Sequence, residues 1–313
     1  MILGIDTSCY TTSVAAVGLD APECVSIRKM LEVPQGSLGL RQSDAFFIHI
    51  RQLPVLLQDL YKKIEPKQLL GISVSTRPRN LSESYMPVFY AGEAMAKVIA
   101  DTLSLSLFLV SHQEGHIAAA IKDHTDDLKE EFLAVHLSGG TTEVLKVKKL
   151  SGGFEVKILG GCDLSAGKFI DMIGVSLGLP FPSGPAMEKL AADNKAGYEL
   201  PISVKGCEIS FSGPETAAAR LIDKGAAPEE IAAAVLDQIA QSLIKALAFA
   251  AEQTGLKQIV LAGGVICNRR IRQQLEQNLK DSMQLFFADR EYAGDNAVGV
   301  ALLGKELYKA TTP

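Results

Sequence analysis

The feature that most constrains this chain is one fifteen-residue pattern that occurs near the start of each half. When the sequence is shifted by 130 positions, residues 3–17 align with residues 133–147 without a gap. Two copies with so long a period predict a duplicated domain, because a solenoid repeats shorter units many times. The identical pairs in the alignment are Leu3/Leu133, Ser8/Ser138, Thr11/Thr141, Thr12/Thr142, Val14/Val144 and Val17/Val147.

Each copy has the pattern of a strand, a tight turn and a second strand. In the second copy, apolar residues alternate with other residues over 133–138, which is the period of a two-faced strand. Gly139 and Gly140 then interrupt the strand, since glycine adopts positive φ without steric cost. A turn without Cβ atoms exposes backbone N–H groups, so Ser138, Gly139 and Gly140 are candidates for contact with a phosphate.

Composition excludes several classes of protein. The chain has 313 residues, enough for two ordinary domains, and a net charge of −5. It therefore lacks a global basic surface, and any contact with nucleic acid must use a local patch. Five cysteines without a C-x-x-C spacing fit reduced thiols rather than a disulfide framework. We see neither a signal peptide nor an apolar run near the ~20 residues of a membrane span, and we expect a cytoplasmic protein.

Three histidines are candidates for metal ligands. His112 and His116 are spaced i, i+4, so on a helix they share one face and can hold the same ion. They follow an expected strand at 105–110, and sites in α/β domains commonly lie at strand ends. His136 would add a third imidazole. Hydrogen-bonded or solvated histidines are the alternative for all three residues.

Acidic residues and glycines at element boundaries supply further candidates. Asp6, Asp171 and Asp295 each stand at a strand or helix boundary, where a capping or turn role is the alternative. For Asp295 the capping alternative is strong, because we expect the last helix to begin at residue 296. A second glycine pair, Gly263 and Gly264, follows the expected strand 258–262. Plain turn chemistry is the alternative for either glycine pair alone. Two such pairs, together with the repeat and the loop at residues 181–185, favour a nucleotide held between two lobes, in a site that is not a P-loop because that motif is absent.

Several motifs in a fixed order make the chain similar to one known family. The chain resembles the TsaD family, formerly called Gcp or O-sialoglycoprotein endopeptidase. The resemblance covers nearly the whole length and rests on His112-Gln113-Glu114-Gly115-His116, Leu137-Ser138-Gly139-Gly140, Phe181-Pro182-Ser183-Gly184-Pro185, Phe211-Ser212-Gly213, Gly263-Gly264-Val265 with Asn268-Arg269-Arg270, and Asp295-Asn296-Ala297.

The resemblance implies an α/β fold of the actin-like ATPase (ASKHA) class, with two RNase H-like lobes around a nucleotide and metal cleft. We expect residues 1–111 with 296–313 to form the first lobe and residues 112–295 the second. The implied activity is metal-dependent transfer of the threonylcarbamoyl group from threonylcarbamoyl-AMP to the adenine at tRNA position 37. The implied partners are tRNA and bacterial TsaB-like and TsaE-like proteins, with a homo- or hetero-dimer as the assembly.

The resemblance also implies roles for particular residues. One iron or zinc ion per subunit would be held by His112, His116 and Asp295, with His136 where archaeal and eukaryotic relatives carry a metal-binding tyrosine. The residues expected to contact threonylcarbamoyl-AMP, ATP or AMP are Ser138, Gly139, Gly140, Asp171, Gly184, Gly263, Gly264 and Asn268. The resemblance does not assign a catalytic acid or base.

Four places depart from the family pattern, and all of them are expected around the cleft. Tyr10 and Thr11 replace an acidic pair, and Arg77-Pro78-Arg79 replaces Gly-Pro-Gly. Thr141 replaces His or Asn, and Pro214-Glu215-Thr216 replaces Leu-Lys-Thr. A diverged paralogue that binds nucleotide and metal without transferring the group is therefore an alternative function. A metalloprotease is a weaker third alternative, because the H-E-x-x-H arrangement is absent.

Overall fold

The computed structural model describes residues 1–8, 10–20, 23–34, 37, 39–81, 83–192 and 194–311. Its first sheet has five strands in the order β3-β2-β1-β4-β5. Strands β1 and β2 and strands β2 and β3 pair antiparallel, whereas β1 with β4 and β4 with β5 pair parallel. The bounds are β1 (Ile2–Asp6), β2 (Thr11–Val17), β3 (Cys24–Met30), β4 (Gly71–Arg77) and β5 (Ser106–Ser111).

The second sheet repeats this arrangement. Its order is β12-β11-β6-β7-β8, and the same sequence of antiparallel and parallel pairings is found. The bounds are β6 (Glu131–Leu137), β7 (Thr142–Leu150), β8 (Gly153–Gly160), β11 (Gln258–Ala262) and β12 (Gln284–Phe287), and a separate hairpin contains β9 (Ser203–Lys205) and β10 (Glu208–Ser210). The duplication expected from the sequence repeat is therefore confirmed at the level of topology.

Helices cover both faces of each sheet, and their apolar positions explain why. The helices are α1 (Gln42–Tyr61), α2 (Phe89–Leu103), α3 (His112–Ile121), α4 (Ala166–Ser176), α5 (Gly184–Ala191), α6 (Ser212–Asp223), α7 (Pro228–Thr254), α8 (Arg269–Leu279), α9 (Arg290–Ala293) and α10 (Val298–Thr311). Leu3 and Ile5 of β1 face a cluster with α1 and α2, whereas Ile2 packs against Ala301 of α10. A strand that is buried on both faces needs apolar residues at consecutive positions, which β1 has.

Helices α3 and α10 lie between the two sheets and pack closely on each other. Both sheets contribute apolar residues to the clusters around them, such as Val110 of β5, which packs in one cluster with Val300 of α10, and Phe132 of β6. A Cβ atom at Gly299 would overlap the carbonyl oxygen of Gly115, so the two helices cross where neither has a side chain in the way. This crossing brings the start of α10 close to the histidines of α3.

One expected boundary differs in the structure, because the last helix begins at Val298 rather than at residue 296. Strand β4 extends to Arg77, and helix α6 follows Phe211 directly. The division of the chain into lobes at 111/112 and 295/296 stays a prediction.

Two further expectations concern cysteines and membranes. Cys24, Cys162, Cys207 and Cys267 are free thiols, as predicted, and Cys9 lies outside the described residues. Helix α7 has 27 residues and is long and apolar enough to cross a membrane by length and composition. Most of it is buried within the protein, where it packs against α5 and α8, so a core helix is the simpler interpretation.

Candidate metal centre and nucleotide cleft

The two histidines of α3 are placed by the way that the helix begins. Ser111 ends β5 and caps the helix, since its hydroxyl accepts a hydrogen bond from the amide of Glu114 at 3.2 Å. The Glu114 carboxylate in turn accepts from the amide of Ser111 at 3.1 Å, which completes a capping box. The helix therefore starts at His112, and His116 lies one turn later on the same face, as the spacing predicted.

Asp295 completes a cluster with these histidines. Its Oδ1 lies 3.3 Å from Nε2 of His116 and 3.5 Å from Nε2 of His112, and the two Nε2 atoms are 3.0 Å apart. One ligand atom from each residue lies within 4.8 Å of the others. The capping interpretation of Asp295 is wrong, because the side chain of Asn296 accepts from the amide of Val298 at 2.9 Å instead. The three side chains form a candidate metal site.

Asp6 holds His112 from the opposite side. Its Oδ1 is 3.3 Å from Nδ1 of His112, while Oδ2 accepts a hydrogen bond from the Ser8 hydroxyl at 2.6 Å and Oδ1 accepts another from Ser75. A carboxylate at Nδ1 fixes the orientation of an imidazole whose Nε2 can ligate a metal. From the sequence we treated Asp6 only as one of three boundary acids. Its position at the end of β1 in the first copy of the repeat, equivalent to His136 in the second copy, is the signal that would have marked it.

The electrostatics of the cluster follow from burial and the two carboxylates. Burial alone lowers the pKa of His112, but the charge of Asp6 and the hydrogen bonds to Asp295 and Asp6 raise it to about 10. Burial and the charge of His112 lower the pKa of His116, and His112 with His116 holds the pKa of Asp295 below its usual range despite burial. The cluster thus places the His112 imidazole between the carboxylates of Asp6 and Asp295, and their opposite charges compensate one another in a buried position.

His136 lies beside the cluster at the end of β6. Its ring centroid is 4.5 Å from that of His116 and 6.2 Å from that of His112. Both of its ring nitrogens are buried and lack a hydrogen-bond partner. Burial, followed by the neighbouring imidazoles, lowers its pKa well below the ordinary value. A buried imidazole without a partner is costly, and a metal ion would satisfy it, so the donor set fits a metal.

The predicted phosphate turn is open on the side away from the protein. Gly139 and Gly140 are exposed, and a Cβ atom at Gly139 would meet nothing within 4 Å. The inner side of the turn is fixed, because the amide of Ser138 donates to the carbonyl of Thr141 at 2.8 Å and the Ser165 hydroxyl donates to that of Gly139 at 2.6 Å. This turn therefore has a rigid base and a free outer surface.

Asp171 and Gly184 are brought together, as a shared role would require. The Asp171 carboxylate accepts a hydrogen bond at 2.7 Å from the amide of Ser183, the residue before Gly184. Burial raises the pKa of Asp171 to about 6, and this hydrogen bond opposes the rise. A Cβ atom at Gly184 would meet nothing within 4 Å. The pair thus presents a carboxyl group beside unfilled space.

In the second glycine pair, the backbone conformation and packing require glycine at position 263 but not at position 264. Gly263 has a φ of +98°, and a Cβ atom there would overlap the backbone of Leu137, so the protein itself requires glycine. At Gly264 the nearest protein atom to such a Cβ would be 4.0 Å away. Asn268 caps α8, since its Oδ1 accepts from the amides of Arg270 at 3.1 Å and Ile271 at 3.2 Å.

Arginines are natural partners for a phosphate, but most of those in the segments 77–79 and 269–272 are engaged within the protein. Arg79 pairs with Glu143, and Arg270 makes a two-pronged ion pair with Asp237. Arg272 lies over the ring of Phe287 and donates to the carbonyl of Ala288. Arg77 donates to Asn80, and Arg269 stays largely exposed, 3.8 Å from Glu188.

Comparison with known proteins identifies the family. The sequence profile described as "TsaD: tRNA N6-adenosine threonylcarbamoyltransferase" matches residues 43–302. The chain belongs to the TsaD family. A tRNA N6-adenosine threonylcarbamoyltransferase of Methanopyrus kandleri is 31% identical to this TsaD-family chain over 310 residues, covering 96% of the chain and 86% of the relative. One of Thermus thermophilus is 29% identical over 307 residues, covering 96% and 91%. Membership in the family makes tRNA the implied substrate.

Solved structures support the fold of this TsaD-family chain. A HypF protein of T. kodakarensis superposes with a TM-score of 0.65 at 16% identity, covering 99% of this chain and 48% of that one. The activator of the 2-hydroxyisocaproyl-CoA dehydratase from Clostridium difficile, solved with bound ADPNP, gives 0.58 at 15% identity, covering 99% and 96%. At such identities the likeness shows the fold alone, and it confirms the predicted actin-like ATPase class.

Proposed function

We propose that this chain transfers the threonylcarbamoyl group from threonylcarbamoyl-AMP to the adenine at tRNA position 37. The observation that carries the proposal is the convergence of His112, His116 and Asp295 within 4.8 Å in a chain that matches the transferase family over residues 43–302. These side chains come from two separate parts of the sequence, and the crossing of α3 and α10 brings them together.

We assign the metal site to one iron or zinc ion held by His112, His116 and Asp295, with His136 as a further ligand. The four side chains suit either metal, because both accept imidazole nitrogens and a carboxylate. When bound, such an ion supplies Lewis acidity toward the carbamoyl oxygens. Asp6 fixes the orientation of His112. The unpartnered nitrogens of His136 support its inclusion, although it stands outside the tight group of three.

We assign the adenylate part of the substrate to the open glycine surfaces. Ser138, Gly139 and Gly140 would contact the phosphate and acyl portion, and Asp171 with Gly184 would contact the ribose. Gly263, Gly264 and Asn268 would border the nucleotide, which can be ATP or AMP in the absence of the acyl group. Support comes from the empty space at Gly139, Gly184 and Gly264, because protein atoms do not require glycine at these places. The bound ADPNP of the dehydratase activator is consistent with a nucleotide cleft in this fold.

We further propose that the partner proteins implied by the resemblance, of the TsaB and TsaE kinds, dock on the outer helices of the first lobe. Phe47 and Val55 of α1 are 60% and 55% exposed, and Val98 of α2 is 62% exposed. Exposed apolar side chains grouped on neighbouring helices are characteristic of interaction surfaces. The same surface would form the interface of a homo- or hetero-dimer. We also place the protein in the cytoplasm, because its tRNA substrate is found there.

The activity is tested by reconstitution. Purified protein is combined with threonylcarbamoyl-AMP, unmodified tRNA and the bacterial partner proteins, and the nucleosides are analysed by mass spectrometry for threonylcarbamoyl-adenosine. We expect product that requires both tRNA and the chain. Stoichiometric metal and bound nucleotide without any product would overturn the proposal and favour the paralogue.

The paralogue alternative is supported by one contact in the cleft. Tyr10 stands where the family pattern has an acid, and its ring packs edge-on against Phe181 with centroids 5.5 Å apart. If the acid is needed for transfer, Tyr10→Asp should raise the activity by about 10²–10³-fold, the range typical of a positioned group. Thr11 is only 8% exposed within β2, so a glutamate there would bury a charge, and the single substitution is the cleaner test.

The metalloprotease alternative gains no support from the geometry. A protease of that kind needs a glutamate as general base beside the metal. Glu114, the acid between the two histidines, instead accepts hydrogen bonds from the Ser111 amide and hydroxyl. Its carboxylate is thus engaged in capping the helix.

A further inference from the structure

An ion pair crosses the cleft next to the candidate metal centre. Arg79 lies two residues after β4 of the first sheet, and its guanidinium pairs with the Glu143 carboxylate on β7 of the second sheet. The Glu143 side chain is 5% exposed and that of Arg79 is 42% exposed. The other Glu143 oxygen accepts a hydrogen bond at 2.6 Å from the Gln113 amide. Both oxygens of this buried carboxylate therefore have partners from outside its own sheet.

Gln113 is the residue between these contacts and the histidines. It follows His112 in the first turn of α3, and its backbone amide donates to the carbonyl of Pro78 at 2.9 Å. Its side-chain amide donates to the Glu143 carboxylate of the second sheet. The turn that carries His112 is thus held at one residue from both sheets. Asp6 contacts the His112 ring itself. Gln113, in contrast, holds the backbone next to His112.

The strand register places Glu143 close to the third imidazole as well. Glu143 is the cross-strand partner of His136 on β6, and such partners have Cβ atoms about 4.5–5.5 Å apart. Removing Arg79 would leave the buried Glu143 carboxylate without charge compensation, which is costly although the arginine itself is partly exposed. The contacts of this buried carboxylate therefore restrict where the segment after β4, the start of α3 and the end of β6 lie relative to one another.

We infer that Arg79 and Glu143, through Gln113, are positioning residues that fix the start of α3 and so set the geometry of His112 and His116. The inference rests on the proposed metal site and deepens it. In the family pattern, position 79 belongs to a glycine, so this pair is a device of this chain rather than one implied by the resemblance.

The test compares Co²⁺ binding and metal-free imidazole signals in the full-length protein. The variants are Glu143→Leu, Glu143→Gln, Arg79→Gln and the double variant Arg79→Gln/Glu143→Gln. Lys97→Ala is the matched control, since it breaks an exposed ion pair with Glu93 on α2, a helix that contributes no residue to the cluster. Measurements are the Co²⁺ dissociation constant by chelator competition, the visible Co²⁺ spectrum, the long-range ¹H–¹⁵N histidine spectrum without metal, and the melting temperature.

We expect Glu143→Leu and Arg79→Gln to weaken Co²⁺ binding by about 10–100-fold, the range seen for residues that orient metal ligands. Glu143→Gln should have a smaller effect, because its amide oxygen still accepts from Gln113. The double variant should be no weaker than Arg79→Gln, since the two residues act as one unit. The His112 and His116 signals should shift in the same variants and stay unchanged in Lys97→Ala.

Two outcomes are informative in different ways. A lower melting temperature in Glu143→Leu with an unchanged Co²⁺ constant, Co²⁺ spectrum and histidine spectrum would overturn the inference and leave a purely structural ion pair. If the wild type binds no Co²⁺, the proposed metal site fails. In that case the metal-free histidine spectra alone decide whether the pair positions the two imidazoles.

Discussion

The two strand–turn–strand units share a topology but contribute differently to the cleft. Asp6 and His136 occupy equivalent positions, at the shift of 130, and each lies beside the His112 and His116 cluster. Their cross-strand partners, Ser13 and Glu143, are equivalent too. The duplication thus directed two equivalent strand ends toward one site, and divergence gave one a carboxylate and the other an imidazole.

The turns that follow these strands differ more sharply. In the first unit the Thr7 hydroxyl, directly after β1, donates to the carbonyl of Val88 at 2.9 Å and accepts from the amide of Gly92 at 3.1 Å, so protein groups engage the start of this turn. In the second unit Gly139 faces open space. A turn filled by its own protein stabilises the fold, whereas a turn with a rigid base and an empty surface can receive a ligand. The predictions below test this division.

The largest effect is expected at the centre that both units share. His116→Ala should lose most of the bound iron or zinc, because removing one of three or four protein ligands leaves the ion poorly held. Elemental analysis of carefully purified wild type should give about one metal ion per chain. Lys97→Ala serves as the control, and a variant at His116 that keeps its full metal content would contradict the assignment.

The next effect concerns the open side of the cleft. Gly264→Glu should abolish calorimetric binding of AMP while leaving the melting temperature near that of wild type, since the nearest protein atom to its Cβ would be 4.0 Å away. Gly263→Ala is the contrasting variant, and it should destabilise the fold, because positive φ and the Leu137 backbone both oppose a side chain there. Equal AMP affinity in Gly264→Glu and wild type would show that the nucleotide lies elsewhere.

These two glycines show where the sequence alone reached its limit. The repeat predicted a duplicated domain and the histidine spacing predicted two imidazoles on one helix face, because both can be read from the sequence pattern. The actin-like fold and the place of Asp295 in the cluster came from the resemblance instead. The different reasons for Gly263 and Gly264, however, depend on how close β6 approaches β11. The partnership of Asp6 with His112 joins residues 106 positions apart. Such contacts depend on how separate strands and helices pack on one another, and that packing cannot be read from the pattern of a single sequence.

A smaller effect separates the two turns directly. Thr7→Val should lower the free energy of unfolding by about 1–3 kcal/mol, because it removes one hydrogen-bond partner from the buried Val88 carbonyl and from the Gly92 amide. Its AMP affinity should be unchanged. Gly139→Ala should do the reverse, lowering AMP affinity without lowering stability. Chemical denaturation and calorimetry on both variants check the pair, and a loss of stability in Gly139→Ala would break the division between filled and open turns.

The smallest effect is a pH dependence at the edge of the open turn. Burial raises the pKa of Asp171 to about 6. Ribose hydroxyls donate to an ionised carboxylate more strongly than to a neutral carboxyl, by about 1 kcal/mol. The charged form is therefore the better binder, and affinity should rise about three- to fourfold as the pH increases from 5 to 7, because the carboxyl is only mostly neutral at pH 5 and mostly charged at pH 7. Adenosine is the appropriate probe, because it carries no phosphate that titrates in this range. In Asp171→Asn the amide oxygen still accepts from the Ser183 amide, so the fold is kept and the pH dependence should disappear. A wild-type adenosine affinity that stays flat from pH 5 to 7 would place the ribose away from Asp171.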